Sequence, residues 1–401
     1  MARQVWITGI GIASSLGEGI EAHWAALAEA ERPTPVVDLA FTPPFGIHPM
    51  VPLELDKQIP KKSDQRQMEP WQRLGTYTAG LALDDAGIAG NTDILSHTHA
   101  VVAADGGERD VPTDTAILAG LGAADPKAAF LNEHLSNDLR PTLFLAQLPN
   151  LVAGNISIVH KATGSSRTFM GEEIAGVSAA EIAWRRIGAG QGDIFLVGGA
   201  CVAERKDSVL NVALGGRLWA GDHLPVWERL EKGGGAMLGS AGAFIVLEAR
   251  EHAEARGRKP YARLADVRSD QSRRRPGDVT AKMTRQFDEI LPAGSATVSV
   301  LSAATGVAEA TREERDLLMR SMDEGRIDAV RATASMLGAT TSATFPATAA
   351  LAALALSRRG FYRPFDATGL ERPIAPAPAR IAVVSIGIWR GEGMALIEAV
   401  D

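Results

Sequence analysis

Residues 164–200 read GSSRTFMGEEIAGVSAAEIAWRRIGAGQGDIFLVGGA, and this run decides what fold the chain can adopt. It opens on small polar residues and ends in an apolar strand, Ile194 to Val197, closed by Gly198 and Gly199. Between them Val177, Ala180, Ala183, Trp184 and Ile187 recur at the i, i+3, i+4 spacing of one helix face. That helix starts near Glu173, just before Gly176, where a tight turn feeds a helix N-terminus. A side chain held there meets the positive end of the helix macrodipole, which lowers a thiol pKa and favours an anion. Glu173 is therefore expected to sit as a carboxylate.

Composition narrows the class. The chain has 401 residues, 46% hydrophobic and 22% charged, as in ordinary globular proteins. Its length allows two or three domains, or one double-sized unit with a large core. A net charge of −7 argues against nucleic acid as the main partner. No apolar run reaches the ~20 residues of a membrane span. The opening MARQVWITGIG lacks the blocks of a secretory leader and reads as an immediate first strand. A single cysteine excludes an internal disulfide framework and Cys-based zinc sites, and nothing calls for a metal or a cofactor. The expectation is a cytoplasmic α/β protein.

Working outward, Gln4 to Thr8 reads as a buried strand broken by Gly9 and Gly11. The G-I-G-I-A-S that follows lacks the third glycine of a dinucleotide loop. Ala22 to Glu31 reads as a short helix, Pro33 to Pro52 as a surface excursion, and the charged run from Lys57 to Arg73 as the lead into a helix ending near Ala86. Ala100 to Ala104 is a core strand. Cys201 follows the strand at Val197 without a turn-then-helix signal and reads as a small buried apolar residue. The run EAREHAEARGRKPYARL puts a boundary near residue 250, giving halves 1–250 and 251–401. In the second half Val298–Leu301, Ile381–Ser385 and Ala395–Ala399 are strands, and Thr344–Leu356 is a helix apolar on most faces. Arg273, Arg274 and Arg275 are expected to be solvated.

Several stretches resemble the β-ketoacyl-acyl-carrier-protein synthases of the thiolase fold. VWITGIGIASSLG is similar to the family's opening strand and turn, and EKGGGAMLGSAGAFIVLE to its glycine-rich stretch and closing V-L-E strand. The resemblance implies an α/β fold of two duplicated halves, stacked as a five-layered α-β-α-β-α sandwich. In that family the turn before the central helix carries a nucleophilic cysteine. Matching Gly164 and Gly176 to the family's flanking glycines puts Glu173 in its place.

The same comparison implies further losses. The family's two histidines belong to H-G-T-G-T and K-S-x-x-G-H motifs, whose counterparts here place Ala303 and Ala339 at the imidazoles and Ala334 at the lysine. One check needs no alignment, because the last histidine of the chain is His252. The family's gating loop G-F-G-G-T becomes Gly387-Ile388-Trp389-Arg390-Gly391, with Trp389 and Arg390 bulky enough to fill the substrate pocket. In a closed-off site Glu173 is expected either to cap its helix or to take a salt bridge, with Arg390 as the partner.

Partners follow from the resemblance too. Residues 139–158 match a family segment at the dimer interface, so Phe144, Leu145, Leu148 and Leu151, with Met170, either line an acyl tunnel or are plain core or interface. Lys61, Lys62, Arg66 and Arg73 form either a solvated face or a patch for an acidic acyl carrier protein. Two readings result. One is a non-catalytic subunit similar to chain-length factors, and to the inactive homologue of rhizobial-type very-long-chain fatty acid systems, which pairs with an active ketosynthase as a heterodimer. The other is a homodimer that binds acyl chains or carrier protein. An active condensing enzyme using unfamiliar residues is a remote third.

Overall fold

The computed structural model describes residues 2–292, 294–374 and 377–400. Its ten principal strands fall into two sets with one topology. The first set is β1 (Val5–Ser14), β2 (His99–Ala104), β3 (Ser166–Met170), β4 (Ile194–Cys201) and β5 (Ala241–Ala249). They run in the order β3-β2-β4-β5-β1 across the sheet. The second set is β6 (Ala262–Asp270), β7 (Val298–Ser302), β8 (Ile327–Ala332), β9 (Arg380–Ile386) and β10 (Glu392–Glu398). These run β8-β7-β9-β10-β6, which is the same permutation. In each set two parallel pairings are followed by two antiparallel ones. A short antiparallel ladder, Val5 to Ile7 against Ala262 to Leu264, joins β1 to β6. The duplication implied by the resemblance is thus written in strand order.

The helices explain the layering. They include α1 (Pro70–Asp85), α2 (Val111–Leu121), α3 (Lys127–Asn137), α4 (Leu151–His160), α5 (Glu173–Gly188), α6 (Lys206–Leu214), α7 (Asp278–Ile290), α8 (Ala308–Asp323) and α9 (Thr344–Ser357). α5 and α9 pack on each other and on strands of both halves, which makes them the middle layer. Every residue of α9 from Thr344 to Leu356 is buried, as its mostly alanine and leucine sequence requires. α1 and α4 cover the outside of the first half, and α7 and α8 the outside of the second. Five layers result. Among the described residues no helix is long and apolar enough to cross a membrane.

One expectation fails in an instructive way. Gly9 and Gly11 do not end β1, which continues to Ser14 with every residue buried. They lie under α1, where a Cβ on Gly11 would sit 2.1 Å from the Thr78 carbonyl oxygen and one on Gly9 2.5 Å from that of Ala82. The glycines set how closely helix and strand approach. Gly11→Ala is expected to destabilise the protein by at least the ~1–3 kcal/mol of an overpacked core, read as a lower denaturation midpoint at unchanged m-value.

Candidate functional site

β3 ends at Met170, and the chain reverses through Gly171 and Glu172 into α5. Glu172 holds φ 61°, ψ −136°, a conformation that costs a non-glycine residue roughly 1–3 kcal/mol and clusters at functional sites. The turn delivers Glu173, 1% exposed, as the first residue of α5. Its Oε2 accepts the Ile388 N–H at 3.2 Å, and its own backbone N–H also bonds the carboxyl. Two backbone N–H groups aimed at one point are the arrangement that stabilises a developing oxyanion. Here the Glu173 carboxyl occupies that point, leaving Oε1 without a partner.

Two expectations for Glu173 are overturned. Burial first, then the neighbouring Glu172 and Asp105, raise its pKa from the ordinary 4.5 to about 8, against the pull of the two backbone N–H bonds. Desolvation outweighs the helix end, so the group is a neutral acid at pH 7 rather than a carboxylate. The ion pair with Arg390 does not form among the described residues. The Arg390 side chain is exposed, and its charge acts on Glu172 instead.

The Gly387–Gly391 loop joins β9 to β10 and is held from several sides. The Gly387 N–H donates to the Gly391 carbonyl at 3.0 Å. Arg274 donates to the carbonyls of Gly387 at 2.9 Å and Gly391 at 3.2 Å, and pairs with the buried Glu392 at 3.2 Å. Arg274 is therefore a largely buried clamp and not the solvated arginine expected from its polar loop. Arg217 donates to the Ile388 carbonyl at 3.0 Å while its guanidinium lies 4.5 Å from the Trp389 ring centre. Trp389 is drawn sideways over Gly215, where a Cβ would approach the ring to 1.9 Å. It does not fill the pocket.

A cavity of about 560 Å³ remains, and its lining includes Trp389, Arg390, Ile388, Glu173, Glu172 and Met170. Asp105, Cys201, Arg109, Arg205 and Trp71 also line it. Cys201 is part-exposed on the wall and is not the packed core residue expected; burial pushes its thiol well above the ordinary range. That makes it a poor nucleophile. Asp105 accepts hydrogen bonds from the hydroxyls of Thr341 and of Ser342, the latter at 3.0 Å, and burial raises its pKa. Asp105 and Glu172 were missed at the sequence level. Asp105 directly follows a parallel strand, and strand C-terminal ends are where α/β folds place sites.

Other candidate residues lie elsewhere. Ala303, Ala334 and Ala339 are buried away from the cavity wall, and no histidine lines the cavity among the described residues. Ala339 extends the backbone ladder, donating to the Met237 carbonyl at 2.7 Å. Near Ala303, buried Glu314 takes a hydrogen bond from the Ser302 hydroxyl at 2.6 Å, and burial raises its pKa to about 7. Phe144 is 68% exposed, and Leu145, Leu148 and Leu151 are half-buried; of the five tunnel candidates only Met170 reaches the cavity. Lys61, Lys62 and Arg66 are exposed, with Lys62 paired to Asp56 at 2.6 Å. Arg73 is half-buried and donates to the Met68 carbonyl at 3.0 Å.

A stability test follows from the raised carboxyls. Between the unfolded pKa of 4.5 and the folded value of about 8 for Glu173, the folded state holds the extra proton. Stability therefore falls as pH rises through that window, by a few kcal/mol at most for this group (order of magnitude). Glu173→Gln is expected to flatten that part of the profile and to be more stable than the native chain above about pH 8. Urea denaturation across the pH range checks it; an unchanged slope would refute the assignment.

Comparison with known proteins agrees with this architecture. Residues 2–253 match the model of the N-terminal domain of β-ketoacyl synthases. A 3-oxoacyl-[acyl-carrier-protein] synthase 2 of Rhizobium meliloti is 26% identical over 284 residues, covering 65% of this chain and 63% of that protein. The Vibrio harveyi protein of the same name is 28% identical over 273 residues, covering 65% of this chain and 61% of its own length. The match thus spans under two thirds of these relatives. Among solved structures, the ishigamide ketosynthase/chain length factor covers both chains fully with a TM-score of 0.78 at 20% identity. A type II polyketide acyl-carrier protein in complex with its ketosynthase covers both fully at 0.76 and 16%. With more than half of its length matched and the duplicated topology in place, this chain belongs to the β-ketoacyl synthase family.

Proposed function

We propose that this chain is a non-catalytic β-ketoacyl synthase-like subunit that pairs with an active ketosynthase and shapes its acyl tunnel in very-long-chain fatty acid or polyene and polyketide elongation. The observation that carries this reading is Glu173. A neutral carboxyl at the turn cannot form a thioester, and it fills the pair of backbone N–H groups that a condensing enzyme would keep open. The second half supplies no imidazole to assist decarboxylation, since no histidine follows His252.

Support for a partner comes from the edge of the first half. β3 is the outermost strand, bonded to β2 on one side only and carrying exposed Ser166, Arg167 and Met170. An uncovered edge is a template for pairing with another chain. Leu118, Phe144 and Ile158 in the helical segments of the same half are also exposed, at 70%, 68% and 59%. A second copy of this chain would satisfy the same edge, which keeps the homodimeric acyl- or carrier-binding scaffold as the alternative.

Co-expression with an intact ketosynthase from the same genome, followed by size-exclusion chromatography and an elongation assay, separates the two. A one-to-one complex whose product lengthens only in the presence of this chain is the expected result. A homodimer that ignores the active enzyme would overturn it. Within the complex, Phe144→Asp is expected to weaken pairing by about tenfold or more while leaving the thermal midpoint of the isolated chain unchanged.

A further inference from the structure

Between β2 and α4 the chain leaves the body of the first half for residues 106–150. α2 and α3 form the middle of this excursion and pack chiefly on each other. Ile117 is the one buried residue of α2, and α3 has none. The hairpin therefore has little apolar surface of its own to hold it down, and it is fastened at its base, where Leu143 and Ala146 are buried. The base closes on itself, with the Glu108 N–H donating to the Ala146 carbonyl at 3.4 Å. Polar ties join it to the body. Arg205 donates to the carbonyls of Gly106 at 3.3 Å and Gly107 at 2.8 Å, and the Gln72 side chain donates to that of Leu145 at 3.3 Å. Arg140 pairs with Glu69, the residue before α1, at 2.6 Å. Gly106, Gly107 and Arg109 at the base line the cavity, as does Trp71, two residues after Glu69.

One tie differs from the others in kind. The Glu108 carboxyl lies within hydrogen-bond reach of the Glu69 carboxyl, and two carboxyls bond each other only while one of them keeps its proton. Nothing nearby replaces that bond. Glu108 Oε1 is buried without a partner, and Arg205, which attracts Glu108, is bonded to Asp207 at 2.6 Å. We propose that residues 106–150 are a lid on the cavity, latched by the Glu108–Glu69 hydrogen bond and released when Glu108 gives up its proton. Ionised, the pair sets two carboxylates against each other at a place where one oxygen meets neither water nor a donor. Lifting the base into solvent removes that cost. Every residue involved belongs to this chain, so the latch does not depend on pairing with a ketosynthase.

The direction of the switch follows from the groups around Glu108. Glu69 faces it from the N-terminal end of α1, and Arg205 and Asp207 from the start of α6. Arg140 and Asp110 of the excursion stand around Glu69, 4.0 Å from each other. Burial first, and then the charge of Glu69, raise the Glu108 pKa from 4.5 to about 7 against the attraction of Arg205. With the lid open Glu108 regains water and its ordinary proton affinity. The closed lid therefore holds the extra proton between about pH 4.5 and 7. Closure is fully favoured below that window and weakens as pH rises through it.

Hydrogen exchange of the intact chain tests this, read by mass spectrometry at about pH 5 and about pH 8 and corrected for the intrinsic rate at each. Peptides of the base, on either side of the α2–α3 hairpin, are expected to lose about tenfold or more of their protection between the two. Glu108→Gln puts an amide donor against Glu69 with no proton to lose, and should keep those peptides protected at both. Glu69→Gln changes the other side of the latch, offering an amide to ionised Glu108, and should flatten the same profile. Circular dichroism establishes that each variant is folded, and the native chain is decisive without them when peptides of α9 serve as its internal control. Equal protection at both pH values, a loss shared equally by α9, or an undiminished loss in Glu108→Gln would each overturn the proposal.

Discussion

The crossing of α5 and α9 between the two sheets is the constraint on which the rest depends. At Gly176 a Cβ would lie 2.8 Å from the Pro346 ring and 3.2 Å from the Phe345 Cβ, so the helices meet there at nearly backbone contact. Small residues on both helices let two sheets share one thin middle layer, and close packing makes that layer intolerant of extra volume. Its depth fixes where α5 begins. The Glu172–Glu173 turn, the β9–β10 loop and the end of β2 converge because this crossing leaves them nowhere else to go.

Much of this was legible in residues. The α5 periodicity gave a helix start near Glu173, where the structure has it, and the alanine-leucine run of α9 gave a helix buried on several sides, which the structure buries on all of them. The strands at Ala100, Ile194, Val298 and Ile381 were visible as short apolar runs. Local pattern failed where a distant partner decided the outcome. Gly9 and Gly11 look like breaks until α1 lies on them. Arg274 looks solvated until the carbonyls of Gly387 and Gly391, more than a hundred residues away, come to it. The charge state of Glu173 was misjudged because the helix end is a local feature, whereas burial and the proximity of Asp105 are products of the whole fold.

The frame of the site does not rest on any one side chain. The strained turn, the converging N–H groups and the cavity are each held by the packing around them. A carboxyl in that frame inherits geometry suited to an anion and a dielectric environment that opposes one. Its protonation is set by the balance of those two influences, with neighbouring Glu172 and Asp105 tipping it toward the acid form.

The pinned Gly387–Gly391 loop carries a consequence for motion. With Arg274 on two carbonyls, Arg217 on a third and Glu173 on the Ile388 amide, no one residue of the loop can swing out alone. Opening must break several polar contacts at once in a largely dehydrated place. The Ile388 amide hydrogen thus trades with solvent only through a sub-global fluctuation of the middle layer, and the time it stays protected measures how firmly the two halves are fastened.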